Sequence, residues 1–462
     1  MIGGGPAGAS FALRMARLGH RVILLERSAF PRPHVGEVLT PGIWPLLDAL
    51  GTAGAVRAAP FLPVAEARVR WAGRAARRIP APAGACGLTV DRGRFDLLLL
   101  EAARSAGAEV WQPAVAARPR WTATGWEVAV TTPTGSRQVS ARFLADGSGR
   151  ARTLRAYRAR RSVSTLALHG RWRAEDADDQ ATRLEAGARG WFWRAHLPDG
   201  SLRAFAFVDR EILRPLRPGR AGLERLYREL LASTELLRDL RDPRLEGPVQ
   251  VCDATCYSDP SPIAAAAIRL GDASCAIDPL SSSGVQKALQ SALAGSAAVH
   301  TLLRPDGDTQ AALDFYRESQ RHAFEVHADW AGAHYGEEQA HAAEPFWRRR
   351  RRGAVAALPP RRPVRLEEAL PRRARLVPGA ALVTVACLVG DGVERRRALS
   401  HPGLRRPVAF LEDVELAPLI DEAAEVATLA VAVRRWAQRI TPARALSVGA
   451  WLCQEGLLEI HQ

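Results

Sequence analysis

Residues 3–8 read GGGPAG, which sets Gly3, Gly5 and Gly8 in the G-x-G-x-x-G spacing of a dinucleotide-binding turn. Glycine at those places lets the backbone turn tightly and come close to a pyrophosphate. The apolar helical pattern that follows, Ala9 to Leu18, would present free amides and the positive end of its dipole to the same group. Gly19 and His20 read as a helix stop, and the apolar strand from Arg21 to Leu25 ends at Glu26. An acidic residue about 20 positions after such a loop, at a strand end, is placed to hold a ribose hydroxyl. Loop, helix, strand and acid together predict a dinucleotide cofactor.

Other chemistries find less support. The six cysteines, Cys86, Cys252, Cys256, Cys275, Cys387 and Cys453, contain no C-x-x-C pair. Cys252 and Cys256 have no matching second pair for zinc, so free thiols are expected. His327, His334 and His341 recur every seven residues, which predicts the face of one helix and no metal site. The formal net charge of +15 is carried almost wholly by arginine, Lys287 being the only lysine, and the arginine bias runs through every segment. That distribution predicts a solvated basic surface and no nucleic-acid partner. The dense run from Arg348 to Arg352 is the one candidate docking patch for an acidic partner. No charged-then-apolar leader and no apolar run of about 18 residues is present, so no membrane and a cytoplasmic location are expected.

Positioning a cofactor against a substrate takes more than one element, and 462 residues exceed the usual size of one core. With 47% hydrophobic and 24% charged residues the chain reads as globular throughout. Residues 163–210 alternate as a sheet does, as in Leu202 to Val208 (LRAFAFV), and predict a substrate lobe. Within it GWFWRAHLP puts Trp191 and Trp193 on one side of a strand, as substrate-binding residues, with His196 the candidate for proton transfer. Pro359 to Pro363 reads as a boundary. Beyond it, helical patterns over Pro418–Arg439 and Thr441–Gln454 are compatible with a winged-helix-like module, a lid or a dimerisation element. Only Met1 and Ile2 precede the phosphate loop, whereas the fold needs a first strand of about five residues there. An upstream extension that supplies this strand is the expectation.

Several motifs carry a family likeness. FPRPHVGEVLTPG (Phe30 to Gly42) resembles the segment after the ribose-binding acid in flavin-dependent halogenases and related monooxygenases. LTVDRGRFD (residues 88–96) resembles their R-x-x-F-D element, and FLADGSGR (Phe143 to Arg150) the Asp-Gly turn of flavin hydroxylases. RLGDASCAIDPLSSSGVQKAL (Arg269 to Leu289) resembles the second FAD fingerprint. The resemblance implies FAD as cofactor, with Arg92, Asp146, Gly147, Gly271 and Asp272 holding it and Asp278, Pro279 and Gly284 near the isoalloxazine. Such a reduced ring adds oxygen to give a peroxide that decays in water, so a buried ring beside a closed cavity is expected.

The tryptophan pair is similar to the tryptophan-x-tryptophan signature of flavin-dependent halogenases, but Ala195 and His196 stand where that family continues with isoleucine and proline. Tryptophan halogenases also hold hypohalous acid with a lysine some 70 residues past the loop, and none stands there in this chain. Arg70, Arg74 and Arg77 are poor substitutes, because a guanidinium stays protonated. The second fingerprint together with HYGEEQAHAAEPFWRRR (His334 to Arg350) looks like the halogenase-like flavoproteins that mature tryptophan-derived quinone cofactors.

The fold expected is α/β: a Rossmann-like FAD-binding domain over residues 1–160 and 250–345, a mixed-sheet substrate domain over 161–249 of flavin hydroxylase type, and a mainly helical C-terminal module over 363–462. The function expected is FAD-dependent hydroxylation of an aromatic substrate, including a tryptophan side chain in a peptide or protein, with a flavin reductase or NAD(P)H as electron source. The rivals are a halogenase, a geranylgeranyl-reductase-like saturase and a non-catalytic flavin scaffold in a peptide-modifying complex.

Overall fold

The computed structural model describes residues 1–73, 75–81, 86–154, 159–175, 181–214, 220–351, 364–423 and 428–461. The chain divides into two compact units, residues 1–303 with 316–354, and residues 304–315 with 355–462. The predicted FAD and substrate segments therefore share one unit. The expected boundary at Pro359 to Pro363 lies outside the described residues.

In the first unit a parallel sheet carries the phosphate loop. Ile23–Leu25 pairs with Glu109–Trp111, and Leu144–Asp146 pairs with Ala267–Arg269, both in parallel. Ile2 joins these two pairs through parallel bridges to Leu25 and Asp146. Its amide donates to the Ala145 carbonyl at 2.9 Å, and the Gly3 amide to the Leu25 carbonyl at 2.8 Å. The two residues ahead of the loop thus hold the central position that the sequence pattern assigns to a full strand. The helix Pro6–Arg17 starts on a proline, whose fixed φ suits a first turn. It buries Ala9, Ala12 and Leu13 in a cluster with Leu24, Leu99 and Leu289. Alanine on that face keeps the helix close to its neighbour Gly284–Leu303, and Gly19, at φ +82°, ends it.

A seven-stranded mixed sheet forms the second layer, in the order Arg244–Asp253, Thr165–Arg173, Leu202–Asp209, Gly190–His196, Thr182–Gly187, Glu66–Arg70, Arg77–Pro80. Its pairings are antiparallel except between Thr182–Gly187 and Glu66–Arg70. The sheet thus recruits Glu66–Arg70 and Arg77–Pro80, which the expected boundaries gave to the FAD segment, and extends past the predicted 161–249. Alternation sorts the side chains. Leu168, Ala206 and Phe192 face the helix Arg220–Ala232, whose Leu226, Tyr227 and Leu230 cover them. Ala167, Phe205, Phe207, Trp191 and Trp193 fall on the opposite face with Leu280, Tyr335 and Trp347.

The helix Thr309–Glu337 carries His327 and His334, but His341 lies beyond its end and stacks on Trp347 at 6.5 Å, so the seven-residue spacing marks one face only for the first two. The arginine run is likewise not uniformly solvated. Arg350 is buried and pairs with Asp209 at 2.6 Å, its second Nη donating to the Thr165 hydroxyl at 2.7 Å. Arg348, Arg349 and Arg351 are exposed, and Arg352 lies outside the described residues.

The second unit has the expected helical part and also carries strands. A nine-pair hairpin joins Ala381–Val389 to Gly392–Ser400, and Arg373–Leu376 pairs with Leu458–His461. The helices Leu416–Ala423, Leu429–Trp436 and Pro442–Gln454 pack around Trp436, Leu419 and Val448. Thr428 and Thr441 cap the last two.

Candidate flavin and substrate site

The predicted glycines do different work. Gly3 has φ +96°, and a Cβ there would lie 2.5 Å from the Gly147 carbonyl oxygen. A Cβ on Gly8 would lie 1.9 Å from the Gly3 carbonyl oxygen. These two, with Gly147, make a close backbone crossing. Gly5 instead caps the helix with no side-chain acceptor, and no acidic residue stands in the first turn, so a phosphate meets no competitor there. The guanidinium of Arg32 comes within 3.6 Å of where a Gly5 Cβ would sit, which adds a positive charge that the sequence reading missed.

Glu26 is buried at the strand end, with Oε2 accepting from the Gly4 amide at 2.6 Å and Oε1 from the Ser28 amide at 2.9 Å. Each oxygen keeps further acceptor capacity for a ribose hydroxyl. On the other side, Gly271 at φ +56° packs its α-carbon on Ala7, and a Cβ would approach the Ala7 methyl to 2.8 Å. Asp272 is 39% exposed and takes an ion pair from Lys287 at 2.7 Å. Burial opposes its charge, but Lys287 and Arg150 hold the carboxyl below the ordinary range. Lys287 itself is 1% exposed and also donates to the Cys275 carbonyl. Asp278 accepts from the Leu280 amide at 3.0 Å and opens the short 3₁₀ turn that Pro279 begins. Gly284, exposed at the start of its helix, has open space where a Cβ would be.

Two expected cofactor residues have their side chains engaged within the protein instead. Arg92 clasps Asp96 at 3.0 and 3.2 Å and donates to the Val35 carbonyl at 2.7 Å and the Gly36 carbonyl at 3.2 Å. It holds the loop that carries Glu37, with its guanidinium engaged within the protein. Asp146 is 0% exposed. It accepts from the Ser148 amide at 2.9 Å, the Ser148 hydroxyl at 2.6 Å and the Leu154 amide at 2.7 Å, so with Gly147 it shapes the turn beneath Gly3. Fully buried, this carboxylate spends these hydrogen bonds on its own turn.

On the sheet, Trp191 and Trp193 share one face, as expected. Trp191 stacks on Phe207 with ring centroids 3.7 Å apart, and Trp193 tilts on Phe205 at 5.5 Å. His196 is a correction. It lies an odd number of positions from both tryptophans, opposite Leu202, and so points to the face covered by the helix Arg220–Ala232. The histidine on the tryptophan face is His169, which pairs across the sheet with Phe205. It is 1% exposed, and its Nε2 lies 3.5 Å from the Cys252 thiol. Burial, then the charge of Arg203, lowers its pKa to about 4. Arg203 pairs with the buried Glu37 at 3.1 Å, tying the sheet to the loop that Arg92 holds. A signal for His169 existed, since it alternates in phase with Ala167, but choosing the face needs the register of five strands. Arg70 is engaged by Glu235, Arg77 is exposed, and Arg74 lies outside the described residues.

A cavity of about 110 Å³ opens beside Asp278 and Tyr335, with Ile277, Phe324 and Cys256 among its walls and Arg351 among its cationic edges. Among the described residues no cluster of His, Cys, Asp and Glu could hold a metal, no helix is long and apolar enough to cross a membrane, and all six cysteines are free thiols. The phosphate loop with its uncapped helix, the Glu26 carboxylate and the open edge at Gly284 fit an adenine dinucleotide of the FAD type.

Comparison with known proteins agrees with that chemistry. Residues 64–367 match the family described as tryptophan halogenase. A tryptophan 2-halogenase of Chondromyces crocatus is 29% identical over 337 residues, 69% of this chain and 63% of that protein. The chain thus spans under two thirds of that relative's length. Among solved structures, the peptidyl tryptophan dihydroxylase QhpG, essential for tryptophylquinone cofactor biogenesis, is 26% identical with a TM-score of 0.76, covering 99% of this chain and 98% of that one. The flavin-dependent halogenase CmlS, 24% identical, shares the fold with a TM-score of 0.79 over 100% of this chain and 95% of its own. The match over well more than half of the chain places the protein in the tryptophan halogenase family.

Proposed function

We propose that the protein hydroxylates an aromatic substrate, a tryptophan side chain in a peptide or protein being the class favoured. One observation carries this reading. The chain's only lysine is locked into the second fingerprint by Asp272 and the Cys275 carbonyl, so no ammonium is available on the tryptophan face of the sheet. Halogen transfer of the tryptophan-halogenase kind needs such an amine, and a guanidinium does not replace it. The likeness to QhpG over nearly the whole chain supports a peptidyl substrate.

Reduced FAD, when bound, supplies the activated oxygen, with a flavin reductase or NAD(P)H as the electron source. Gly5 and the first-turn amides would take its phosphates, Arg32 their charge, and Glu26 its ribose. The protein's own share is to hold a substrate ring against Trp193, Phe205 and Phe207 and to keep water out, which removes much of the entropic barrier.

The second reading is a halogenase, favoured by the family match and by the names of the relatives. The deciding assay supplies reduced FAD, oxygen and bromide with a tryptophan-containing peptide or a phenol and reads product mass. Hydroxylation with an atom derived from labelled oxygen gas is expected. Reproducible bromide incorporation that disappears in Trp193→Ala would overturn the hydroxylase reading.

A further inference from the structure

Trp191, Asp278 and Tyr335 come from the substrate sheet, the second fingerprint and the helix Thr309–Glu337, and they meet in one hydrogen-bonded chain. The Trp191 indole N–H donates to the Tyr335 oxygen at 3.1 Å. The Tyr335 hydroxyl in turn faces both Asp278 carboxylate oxygens, at 3.2 and 3.1 Å. Trp191 is 2% exposed and Tyr335 3% exposed, while Asp278 is half-buried beside the cavity. We propose that Tyr335 is a positioning residue that couples the sheet tryptophan to Asp278 at the flavin, so that the seat of one and the proton on the other change together. The proposal rests on the FAD reading of the site.

The direction of the chain follows from the donor inventory. An indole nitrogen can only donate, so it occupies acceptor capacity on the tyrosine oxygen and turns the tyrosine proton toward Asp278. That arrangement asks for an accepting carboxylate, which favours the ionised form. Burial acts the other way and pushes the Asp278 carboxyl up, against the Leu280 amide, the Tyr335 hydroxyl and the Arg350 charge. The remaining ionisable groups around it are the buried Cys256 thiol and Arg161, Arg349 and Arg351 on the same cavity. Burial is the largest of these influences, and each hydrogen bond to the carboxylate offsets part of it, so the proton affinity responds to one hydrogen bond more or less. A substrate ring that displaces Trp191 would loosen Tyr335 and raise the proton affinity of Asp278.

The test follows bound-FAD absorbance against pH in the holoprotein, with melting temperature and flavin stoichiometry recorded for every variant. Wild type is expected to show an inflection that Asp278→Asn removes. Tyr335→Phe should move it upward by about one pH unit, because a donor to the carboxylate is lost. Trp191→Phe should move it the same way by less, since an unanchored hydroxyl is a weaker donor. A purely structural role for Tyr335 would change melting and leave the inflection in place, and that result overturns the proposal. An inflection untouched by Asp278→Asn overturns it as well. Both outcomes leave FAD binding intact, whereas a folded wild-type protein that takes up no FAD would sink the cofactor reading and this proposal with it.

Discussion

The phosphate loop works through backbone and the substrate sheet through side chains, and they tolerate change differently. At the loop, carbonyls of residues 3 and 147 lie where a single added methyl would go. A backbone carbonyl cannot swing aside as a side chain can, so the loop is an all-or-none device. On the sheet, Trp191, Phe207, Phe205 and Trp193 share their contacts in a row of rings, with Phe205 and Phe207 also stacked at 5.5 Å. Loss of one ring there leaves neighbours able to close part of the gap. Rigid recognition of a constant cofactor group suits the first design, and the second tolerates the change of a single ring.

The sharpest break of this contrast is Gly8→Ala. Its Cβ would sit 1.9 Å from the Gly3 carbonyl oxygen, so a cost of about 3 kcal/mol or more and loss of bound FAD are expected, read by flavin absorbance and melting. Phe207→Ala should cost about 3 kcal/mol, because a buried ring is removed and a cavity remains, but FAD should stay bound. If Phe207→Ala strips the flavin as Gly8→Ala does, the two regions are not separable.

Acid probes the sheet through His169. His169 is held neutral in the fold with a pKa of about 4, while the unfolded chain protonates near 6.5. Stability from this group is therefore present above pH 6.5 and is lost as pH falls toward 4, by about 3 kcal/mol in all. Urea midpoints at pH 7.5 and pH 4.5 should differ less in His169→Phe than in wild type. An equal loss in both proteins would remove His169 from the account. The smallest effect is expected at Asp91, which caps the helix carrying Arg92 by accepting from the Arg94 amide at 2.7 Å. Asp91→Ala should cost about 1 kcal/mol and leave FAD binding unchanged.

The same contrast explains what the sequence made legible. The spacing of Gly3, Gly8 and Glu26 within a short stretch pointed to a dinucleotide, and Gly271 followed from the likeness of its segment to the second FAD fingerprint. The face of Trp191 and Trp193 followed from the period of a strand, but the partner of that face did not. His169, Arg203 and Tyr335 reach it only through cross-strand register and the packing of a distant helix, and His196 was misassigned because proximity in sequence stood in for side. Arg92 and Asp146 were recognised as belonging to the site, yet motif spacing cannot tell a ligand contact from a buried brace. In the second unit, Gly390 and Asp391 between an apolar run and its partner strand are a pattern for a two-residue turn, which the period of neither run makes plain.

The arginine run carries a last consequence, for proteolysis. Trypsin must draw an arginine side chain fully into its specificity pocket before it cuts. Arg348, Arg349 and Arg351 are exposed, whereas Arg350 lies along the Phe346 ring at 3.7 Å with its guanidinium bound to Asp209 and Thr165. Brief digestion of the folded protein should therefore yield fragments ending at the neighbouring arginines, and a fragment ending at Arg350 should appear only once the sheet itself has opened. The third arginine of a run that looks uniform thus becomes a reporter of unfolding.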